Sequence, residues 1–329
     1  MLRAYNKDGI YNQSPFSIKI KIALPIWKRA WFIILCIAIV IYGFYLILKI
    51  RERNHRVFEI ELKKALNEKT REVIFQKEEI EKKNKDITDS IRYAKRIQDA
   101  ILPELQTLKN YIPESFIFFQ PRDIVSGDFY WFHRFGDYLV LVCADATGHG
   151  VPGAFMSMIG STLLKEIAAR KGIDSPAFAL ALLDEEIKIL LKQTDSEHHQ
   201  TQDGVDVIIC EINLKTHFVR IASTKRPIII SKDNELVVLK KDNTETQQYE
   251  TKDIQLSKGD TLYLFTDGYS DQFGGDEGKK IKIANVRTLL DDIKELPIPK
   301  QEMIIEKYFN DWKGGYEQID DVLFMGLKL

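Results

Sequence analysis

The stretch VLVCADATGHGVPGAFMSMIG, residues 140–160, joins an apolar run to a glycine-rich turn and then to a helix-like segment. It contains GHGVPG, which matches the G-x-G-x-x-G pattern of dinucleotide-binding sites. Such a site needs a parallel strand soon after the first helix and an acidic residue about 20 residues further on. Here a second helical pattern follows instead, and Pro152 lacks the backbone N–H that would face a pyrophosphate. We therefore exclude a nucleotide site and turn to the aspartate before the glycines, Asp145.

Aspartates recur at the ends of predicted strands. They are Asp128 in IVSGDFYWF, Asp145 in LVLVCAD, Asp267 in LYLFTDGYSDQFGG, and Asp320 and Asp321 before DDVLFMGLKL. One such aspartate commonly caps a turn, but several converging carboxylates need cations because a buried, unpaired charge is costly. Oxygen-only ligands select hard ions such as Mg²⁺ or Mn²⁺. Two such ions about 4 Å apart can lower the pKa of a shared water.

The order of elements predicts an α+β fold with antiparallel sheets. Strands are predicted at 115–120, 128–134, 138–145, 204–213, 217–223, 227–231, 235–239, 261–266 and 321–328. Helices are predicted at 152–171, 175–193, 283–294 and 299–312. Because the helices come in pairs and do not follow each strand, a doubly wound parallel sheet is disfavoured.

Four segments in order carry a resemblance to a known family: PRDIVSGDFYWF, ADATGHGVPGAFMSMIG, LFTDGYSDQFGG and QIDDVLFMGLKL. Together they resemble the PPM/PP2C-type metal-dependent serine/threonine phosphatases, in the bacterial stage II sporulation protein E-like branch. The resemblance covers about residues 110–329. It implies an α-β-β-α sandwich that hydrolyses phosphoserine or phosphothreonine with a water activated by two Mn²⁺ or Mg²⁺ ions and without a phosphoenzyme.

The resemblance also implies a ligand set. Asp128 and Asp145 would lie near the bridging water, the carbonyl of Ala146 would be a further ligand, and Asp267 with Asp320 would bind the other side of the cluster, with Asp321 as the alternative to Asp320. The choice between Asp320 and Asp321 stays open because the register of the motif does not settle it.

Several positions near the motifs have two readings. His149 lies four residues after Asp145, whereas relatives place a general-acid histidine two residues after, so a loop-shaping role is favoured. Arg122 either contacts a phosphate or lies on the surface. Asp206 is either an outer-shell group near the metals or part of a strand turn. In ASTKRPIII, Lys225 and Arg226 stand where relatives have a small-residue turn, and they either alter substrate contacts or do nothing.

The charge distribution and the cysteines indicate the environment of each part of the chain. Residues 1–100 hold 21 Lys and Arg against 12 Asp and Glu, whereas the remainder holds 26 against 36, so the two parts face different environments. The basic charges alternate along a helical pattern, which favours a solvated coil over a nucleic-acid surface. The three cysteines form no C-x-x-C pair, which favours buried free thiols over a disulfide or zinc site.

Residues 30–48, AWFIILCIAIVIYGFYLIL, form an uncharged apolar run. As a helix it would be about 28 Å long, close to one bilayer core. We predict a transmembrane helix at 29–49 and not a signal peptide, because the run is long, is set back from the N-terminus and lacks a small-residue cleavage site. The flanking basic residues weakly favour a cytoplasmic C-terminal side, in the inner membrane.

The segments around this span have their own predictions. Residues 16–24 alternate as a strand does, and IYNQSPFSIKIKIALPIWKRAWF resembles the end of the Ig-like module that follows propeller-type sensors, so residues 1–28 are interpreted as the remnant of an extracytoplasmic β module. Residues 50–104 form a helical linker with an apolar residue every seventh position from 66 to 101. This stripe favours a marginal parallel coiled coil, and hence a homodimer, over a single solvated helix. SIRYAKRIQDAILP also resembles the linker of membrane-bound phosphatases.

The combined expectation is a membrane-anchored phosphatase domain at 110–329 that acts in the cytoplasm on a phosphorylated regulatory protein. By resemblance, that protein is an anti-sigma antagonist-like or response protein. The alternative is a catalytically inactive phosphatase fold that acts as a regulatory binding module, although such a module need not keep all the aspartates.

Overall fold

The computed structural model describes residues 5, 7–10, 19–20, 25–171, 175–193, 204–239 and 249–329. The chain divides into two compact units, residues 1–83 and residues 84–329. The strand predicted for 16–24 lies almost wholly outside the described residues, so the interpretation of residues 1–28 as a β-module remnant remains a prediction.

The first unit consists mainly of helix. A short 3-10 turn, Ile26–Lys28, precedes α1, Ala30–Ile101, whose first part belongs to this unit. An 18-residue window of α1 has a mean hydropathy of 2.7 and none of it is buried. By length and composition, this is a helix that could cross a membrane.

The second unit contains the end of α1 and all remaining elements. The helices are α2 Leu105–Tyr111, α3 Gly150–Lys171, α4 Pro176–Leu190, α5 Asp267–Asp271, α6 Lys282–Ile293 and α7 Ile298–Lys313. The strands are β1 Ser115–Gln120, β2 Phe129–Phe135, β3 Tyr138–Ala146, β4 Val205–Asn213, β5 Phe218–Ser223, β6 Ile228–Lys232, β7 Glu235–Leu239, β8 Lys252–Gln255, β9 Thr261–Phe265, β10 Phe273–Gly274, β11 Lys279–Lys280 and β12 Val322–Lys328.

Ten of the strands form two five-stranded sheets. The first sheet has the order β1-β12-β9-β6-β7 and the second has the order β2-β3-β4-β5-β8. Every neighbouring pair is antiparallel. Strands β10 and β11 form a separate small hairpin. In particular, β3 and β4 are antiparallel, which is incompatible with the parallel βαβ unit of a dinucleotide site.

Three hydrophobic clusters stack these elements in four layers. The central cluster joins the inner faces of the two sheets, for example Leu141 of β3 and Met325 of β12. A second cluster packs α3 and α4 on the second sheet, with Leu164 fully buried. A third packs α6 and α7 on the first sheet, around Phe309. The predicted α-β-β-α sandwich is therefore confirmed, with both faces of each sheet covered.

The elements that the sequence did not predict are short or polar. Strand β8 reads KDIQ, is partly exposed and lies at the edge of its sheet, so it lacks an apolar run. Strands β10 and β11 have two residues each, and α5 has five. Such elements are held by their tertiary neighbours and leave little periodic signal.

Within the second unit, the end of α1 is attached through Gln98. Its side-chain amide, 1% exposed, donates to the carbonyl of Ser126 at 2.6 Å and to Ser157 Oγ at 2.8 Å. Its oxygen accepts the backbone N–H of Ser126 at 3.2 Å. Because Ser157 lies on α3, this one side chain ties α1, the loop before β2 and α3 together.

Candidate active site

The candidate site lies where strand ends from the two sheets meet. Asp145, near the end of β3, pairs directly with Asp206 at the start of β4. Asp267 begins α5 immediately after β9, and Asp320 precedes β12, so these two come from the first sheet. All four line one pocket of ≈ 620 Å³. The fold thus brings together aspartates that are up to 175 residues apart.

Arg226 lies at the centre of these carboxylates. Its Nη2 is 2.8 Å from Asp145 Oδ2, 2.5 Å from Asp267 Oδ2 and 3.5 Å from Asp206 Oδ2. Its Nε is buried and has no hydrogen-bond partner. One guanidinium therefore neutralises part of a larger negative charge, and it stands between carboxylates of both sheets.

Asp128 lies behind the pocket and is 2% exposed. Its Oδ2 accepts a hydrogen bond from Thr266 Oγ1 at 2.6 Å, and the same hydroxyl accepts the backbone N–H of Leu323 at 3.0 Å. This connection fixes the start of β2 to the ends of β9 and β12. Asp128 does not line the pocket, although its charge is close enough to interact with those of Asp145 and Asp320.

The adjacent residues Asp320 and Asp321 have different environments. The carboxylate of Asp321 is buried and accepts two backbone N–H groups, from Arg122 at 2.7 Å and from Gly127 at 2.7 Å. Asp320 lines the pocket, and its Oδ1 accepts the N–H of Asp321 at 2.8 Å. Asp320 is thus presented to the pocket, whereas Asp321 anchors the loop that leads to Asp128.

Two close backbone approaches at the site require glycine. A Cβ on Gly268 would lie 1.8 Å from the carbonyl oxygen of Asp321. A Cβ on Gly127 would lie 2.4 Å from the carbonyl of Gly148 and 3.1 Å from that of Ala146. Any side chain at either position would push apart the segments that carry the aspartates. The Ala146 carbonyl is therefore close to the loop before Asp128, and Ala146 also lines the pocket.

The crowding of carboxylates raises their pKa values. Burial, followed by repulsion from Asp267, raises the pKa of Asp145 from 3.8 to about 8, although Arg226 opposes the change. Burial and then the charge of Asp145 raise the pKa of Asp128 well above its usual value. Burial also raises the pKa of Asp320. The site therefore has more negative charge than Arg226 can balance.

The donor chemistry fits hard divalent cations. Asp145, Asp267 and Asp320 offer carboxylate oxygens in one pocket, with the carbonyl of Ala146 beside them. The raised pKa values of Asp145 and Asp320 are those of groups that a cation would stabilise in the charged form. Among the described residues, no group of three or more histidine, cysteine, aspartate or glutamate side chains is arranged so that it could hold a metal ion in this conformation. The guanidinium of Arg226 is the cation that now lies among the carboxylates.

The remaining candidate residues lie at the margin of this arrangement. His149 Nδ1 is 3.2 Å from Asp123 Oδ2, and both side chains are about half exposed at the pocket rim. The Nη1 of Arg122 donates to the carbonyl of Ile319 at 3.0 Å, and Arg122 does not line the pocket. Asp206 accepts from Thr224 Oγ1 at 3.2 Å and lies 3.3 Å from Lys225 Nζ.

The sequence did not predict the central place of Arg226 or the role of Thr266. The signal for Arg226 was its position in ASTKRPIII, where a resembled family has a small-residue turn. Nothing in the pattern LFTDGY marked Thr266 as the partner of Asp128, because the two are 138 residues apart and meet only through the packing of the sheets.

Comparison with known proteins agrees with this architecture. A family model described as Stage II sporulation protein E (SpoIIE) matches residues 136–329. The solved SiaA-PP2C domain of Pseudomonas aeruginosa is 28% identical, with a TM-score of 0.68, over 75% of this chain and 98% of that domain. The PP2C phosphatase domain of SpoIIE from Bacillus subtilis, solved with a fragment of its regulatory domain, is 16% identical, with a TM-score of 0.54, over 66% and 63%.

A third solved structure contains the RsbU and RsbW domains of Rv1364c from Mycobacterium tuberculosis. It is 19% identical with a TM-score of 0.52, over 66% of this chain and 60% of that one. No curated protein matches the sequence.

The sandwich of two antiparallel sheets, with aspartates gathered at one edge, defines a PP2C-type protein serine/threonine phosphatase, a hydrolase. Within that class, the chain belongs to the SpoIIE family. Metal dependence is typical of this family. The resemblance drawn from the four motifs is thereby confirmed.

Proposed function

We propose that this protein is a membrane-anchored phosphatase that hydrolyses phosphoserine or phosphothreonine on a cytoplasmic regulatory protein, with two Mn²⁺ or Mg²⁺ ions. The observation that carries the proposal is the convergence of Asp145, Asp267 and Asp320 in one pocket, with Asp128 buried behind it. When bound there, the ions would supply Lewis-acid activation of a water and would offset the charge of the phosphate.

The residues of the chain divide the remaining work. Asp145, Asp267 and Asp320, with Asp128 and the Ala146 carbonyl, would hold the ions, and Asp321 would position the loop before Asp128. Among the described lining residues there is no cysteine, and His149 is engaged with Asp123 at the rim. Because the aspartates would be held as ligands of the ions, the proposed nucleophile is a water activated by those ions.

Arg226 would change partners when the carboxylates receive ions. Its guanidinium is only partly buried and already lies between the two sheets. Once the charges of Asp145 and Asp267 are offset, its planar donors would be free to meet a phosphate oxygen. Arg226 is thus a better candidate for phosphate contact than Arg122, whose side chain donates to a backbone carbonyl.

Membrane anchoring and dimerisation are supported by the exposed apolar residues of α1. None of the window of high hydropathy is buried. Beyond it, Leu66, Val73 and Ile80 are 64%, 60% and 58% exposed and recur every seven residues. A helical stripe of this kind is stabilised by pairing with a second copy. The proposal places the phosphatase domain on the cytoplasmic side of the inner membrane.

The proposed partner is a phosphorylated regulatory protein of the anti-sigma antagonist-like or response-protein type. Support comes from the SpoIIE family and from the similar fold of the RsbU and RsbW domains of Rv1364c. The competing function, an inactive fold that only binds a partner, would need no bound metal and no turnover.

The test is hydrolysis of p-nitrophenyl phosphate and of a phosphoserine peptide by the full-length chain in detergent micelles. We expect turnover with Mn²⁺ or Mg²⁺ and none with EDTA, and we expect Asp145→Asn and Asp267→Asn each to abolish it. Asp292→Asn, an exposed aspartate on α6, is the matched control and should leave turnover unchanged. Absence of turnover with every metal, even after a fused leucine zipper forces the linker to pair, would favour the inactive fold.

A further inference from the structure

A second, larger cavity lies beside the aspartate pocket. It is a groove of ≈ 1420 Å³ between β7 and α6, which we call the β7–α6 groove. Leu236 and Val238 of β7 contribute apolar surface, and Ile283, Arg287 and Asp291 contribute one face of α6. These α6 residues are four positions apart, so they share one side of the helix.

The groove is continuous with the aspartate pocket. Thr224 and Lys225 line both cavities. The next two residues each line one of them: Arg226 lies among the aspartates, and Pro227 lines the groove. A protein segment with a phosphorylated residue in the aspartate pocket would therefore extend its neighbouring residues into the groove.

Strand β7 is the last strand of its sheet, and among the described residues no other strand pairs with its outer edge. It follows β6 through a two-residue turn in which Asp233 and Asn234 have φ of 48° and 65°. In such a hairpin the residues that flank the turn are hydrogen-bonded to each other, and the pattern alternates along the strand. The backbone groups of Leu236 and Val238 therefore point outward, where an extended segment could pair with them.

The dimensions suit a short extended segment. The five residues of β7 span about 17 Å, and the twelve residues of α6 span about 18 Å. About five residues of extended chain would therefore fill the groove.

The charge of the groove is opposite to that of the domain around it. Residues 101–329 hold 26 basic and 36 acidic residues. The groove has three cations, Lys225, Arg287 and Lys294, against two acids, Glu235 and Asp291. Lys294 is paired with Asp291 at 2.6 Å and Lys225 lies 3.3 Å from Asp206. Arg287, in contrast, is exposed and makes no ion pair with any residue that the structure describes.

We propose that the β7–α6 groove docks an extended segment of the phosphoprotein substrate, next to its phosphorylated residue, with alternating apolar and acidic side chains. This inference rests on the proposed phosphatase function. The segment would pair with the outer edge of β7, place apolar side chains on Leu236 and Val238, and meet Arg287 with an acidic side chain. The groove, and not the aspartate pocket, would then select the substrate.

The experiment compares three substrates with the full-length chain in detergent and Mn²⁺. p-Nitrophenyl phosphate is too small to reach the groove. A phosphoserine peptide with a flank of about eight alternating valine and glutamate residues is long enough to leave the aspartate pocket and to supply the roughly five residues that fill the groove. Its counterpart has lysine in place of glutamate. The flanks are tested on each side of the phosphoserine. Arg287→Glu is the test variant, and Lys307→Glu, an exposed lysine of α7 outside the groove, makes the same charge change.

We expect Arg287→Glu to lower kcat/KM for the glutamate peptide about five- to tenfold, through KM, because an exposed attraction becomes a repulsion. The same variant should raise kcat/KM for the lysine peptide by a similar factor and should leave kcat/KM for p-nitrophenyl phosphate unchanged. N-methylation of alternate peptide bonds in the flank should also lower kcat/KM for the glutamate peptide, because it removes the backbone donors that would pair with β7.

Equal effects of Arg287→Glu and Lys307→Glu, or no preference between the two peptides, would overturn the docking proposal while leaving the phosphatase intact. If no substrate is turned over, the phosphatase proposal fails separately. Docking is then tested by fluorescence anisotropy, which measures binding of the unphosphorylated peptides. The wild type must bind the glutamate peptide more tightly, and Arg287→Glu must bind the lysine peptide more tightly.

Discussion

Replacing Asp145 by asparagine should stabilise the metal-free protein while removing its response to metal. The pKa of Asp145 is raised to about 8, chiefly by burial and by Asp267. Each pKa unit corresponds to about 1.36 kcal/mol, so at pH 7 the raised pKa of Asp145 costs the metal-free fold at most ~4 kcal/mol. Loss of the 2.8 Å contact with Arg226 and hydration of the pocket reduce the expected gain to about 2 kcal/mol.

The assay is thermal unfolding of the full-length chain in detergent, at pH 7, with EDTA or with Mg²⁺. A gain of about 2 kcal/mol should raise the Tm of Asp145→Asn by about 4–8 °C in EDTA. Wild type should gain about 2.7 kcal/mol from Mg²⁺ at a hundredfold excess over its Kd, and the variant should gain little. The order of the two Tm values should therefore reverse on addition of Mg²⁺.

Two results would refute this reasoning. A variant less stable than wild type in EDTA would mean that the carboxylate of Asp145 is stabilising in the metal-free fold. An equal response to Mg²⁺ in both proteins would mean that Asp145 does not hold the ion. Asp292→Asn, with the same chemical change at an exposed position, should behave as wild type in both conditions.

Three further predictions follow from the same contacts. The pKa of Asp145 is higher in the folded than in the unfolded state, so Asp145 lowers the free energy of unfolding by an amount that is zero below about pH 4, grows up to about pH 8 and is constant above. Chemical denaturation of the wild type in EDTA should therefore show stability falling between these pH values, and Asp145→Asn should reduce this fall. Asp321→Ala should lower the free energy of unfolding in urea by about 2–4 kcal/mol, because two backbone N–H groups lose a charged acceptor. Asp320→Ala should destabilise the protein less but should abolish Mg²⁺ binding, measured by calorimetry. Loss of Mg²⁺ binding in Asp321→Ala but not in Asp320→Ala would contradict the proposed ligand set. Gly268→Ala should cost at least about 1–3 kcal/mol, because its Cβ would overlap the carbonyl of Asp321, while Gly315→Ala, with open space around it, should be nearly neutral in the same assay.

Much of the fold could be predicted from local sequence. Nine of the ten strands of the two sheets contain apolar runs, because the sandwich covers both faces of each sheet, and these nine predicted strands lie within one residue of their observed bounds. The four long helices of the phosphatase domain could also be predicted, because each has an apolar face that packs on a sheet. Strand β8 and helix α5 were missed because their residues are held by neighbours distant in sequence and show no period of their own.

The candidate site was only partly predictable. Asp128, Asp145, Asp267 and Asp320 were proposed as ligands because each lies at the end of a predicted strand, which is a local pattern, and this assignment stays a prediction. The sequence could not separate Asp320 from Asp321, because adjacent residues near a strand point in different directions and only the contacts of each side chain reveal which way it faces.

The class of the protein follows from local sequence patterns: an apolar helix near the N-terminus, a charged helical segment, and a sandwich with aspartates at its strand ends. The placement of those aspartates relative to one another depends on the tertiary structure. It turned Asp321 towards the backbone N–H groups of the loop before β2 and presented Asp320 to the pocket. It also placed Arg226 between the two sheets and opened the β7–α6 groove beside it. The physical reason is that these features depend on the register and packing of segments far apart in the chain, which local periodicity does not encode.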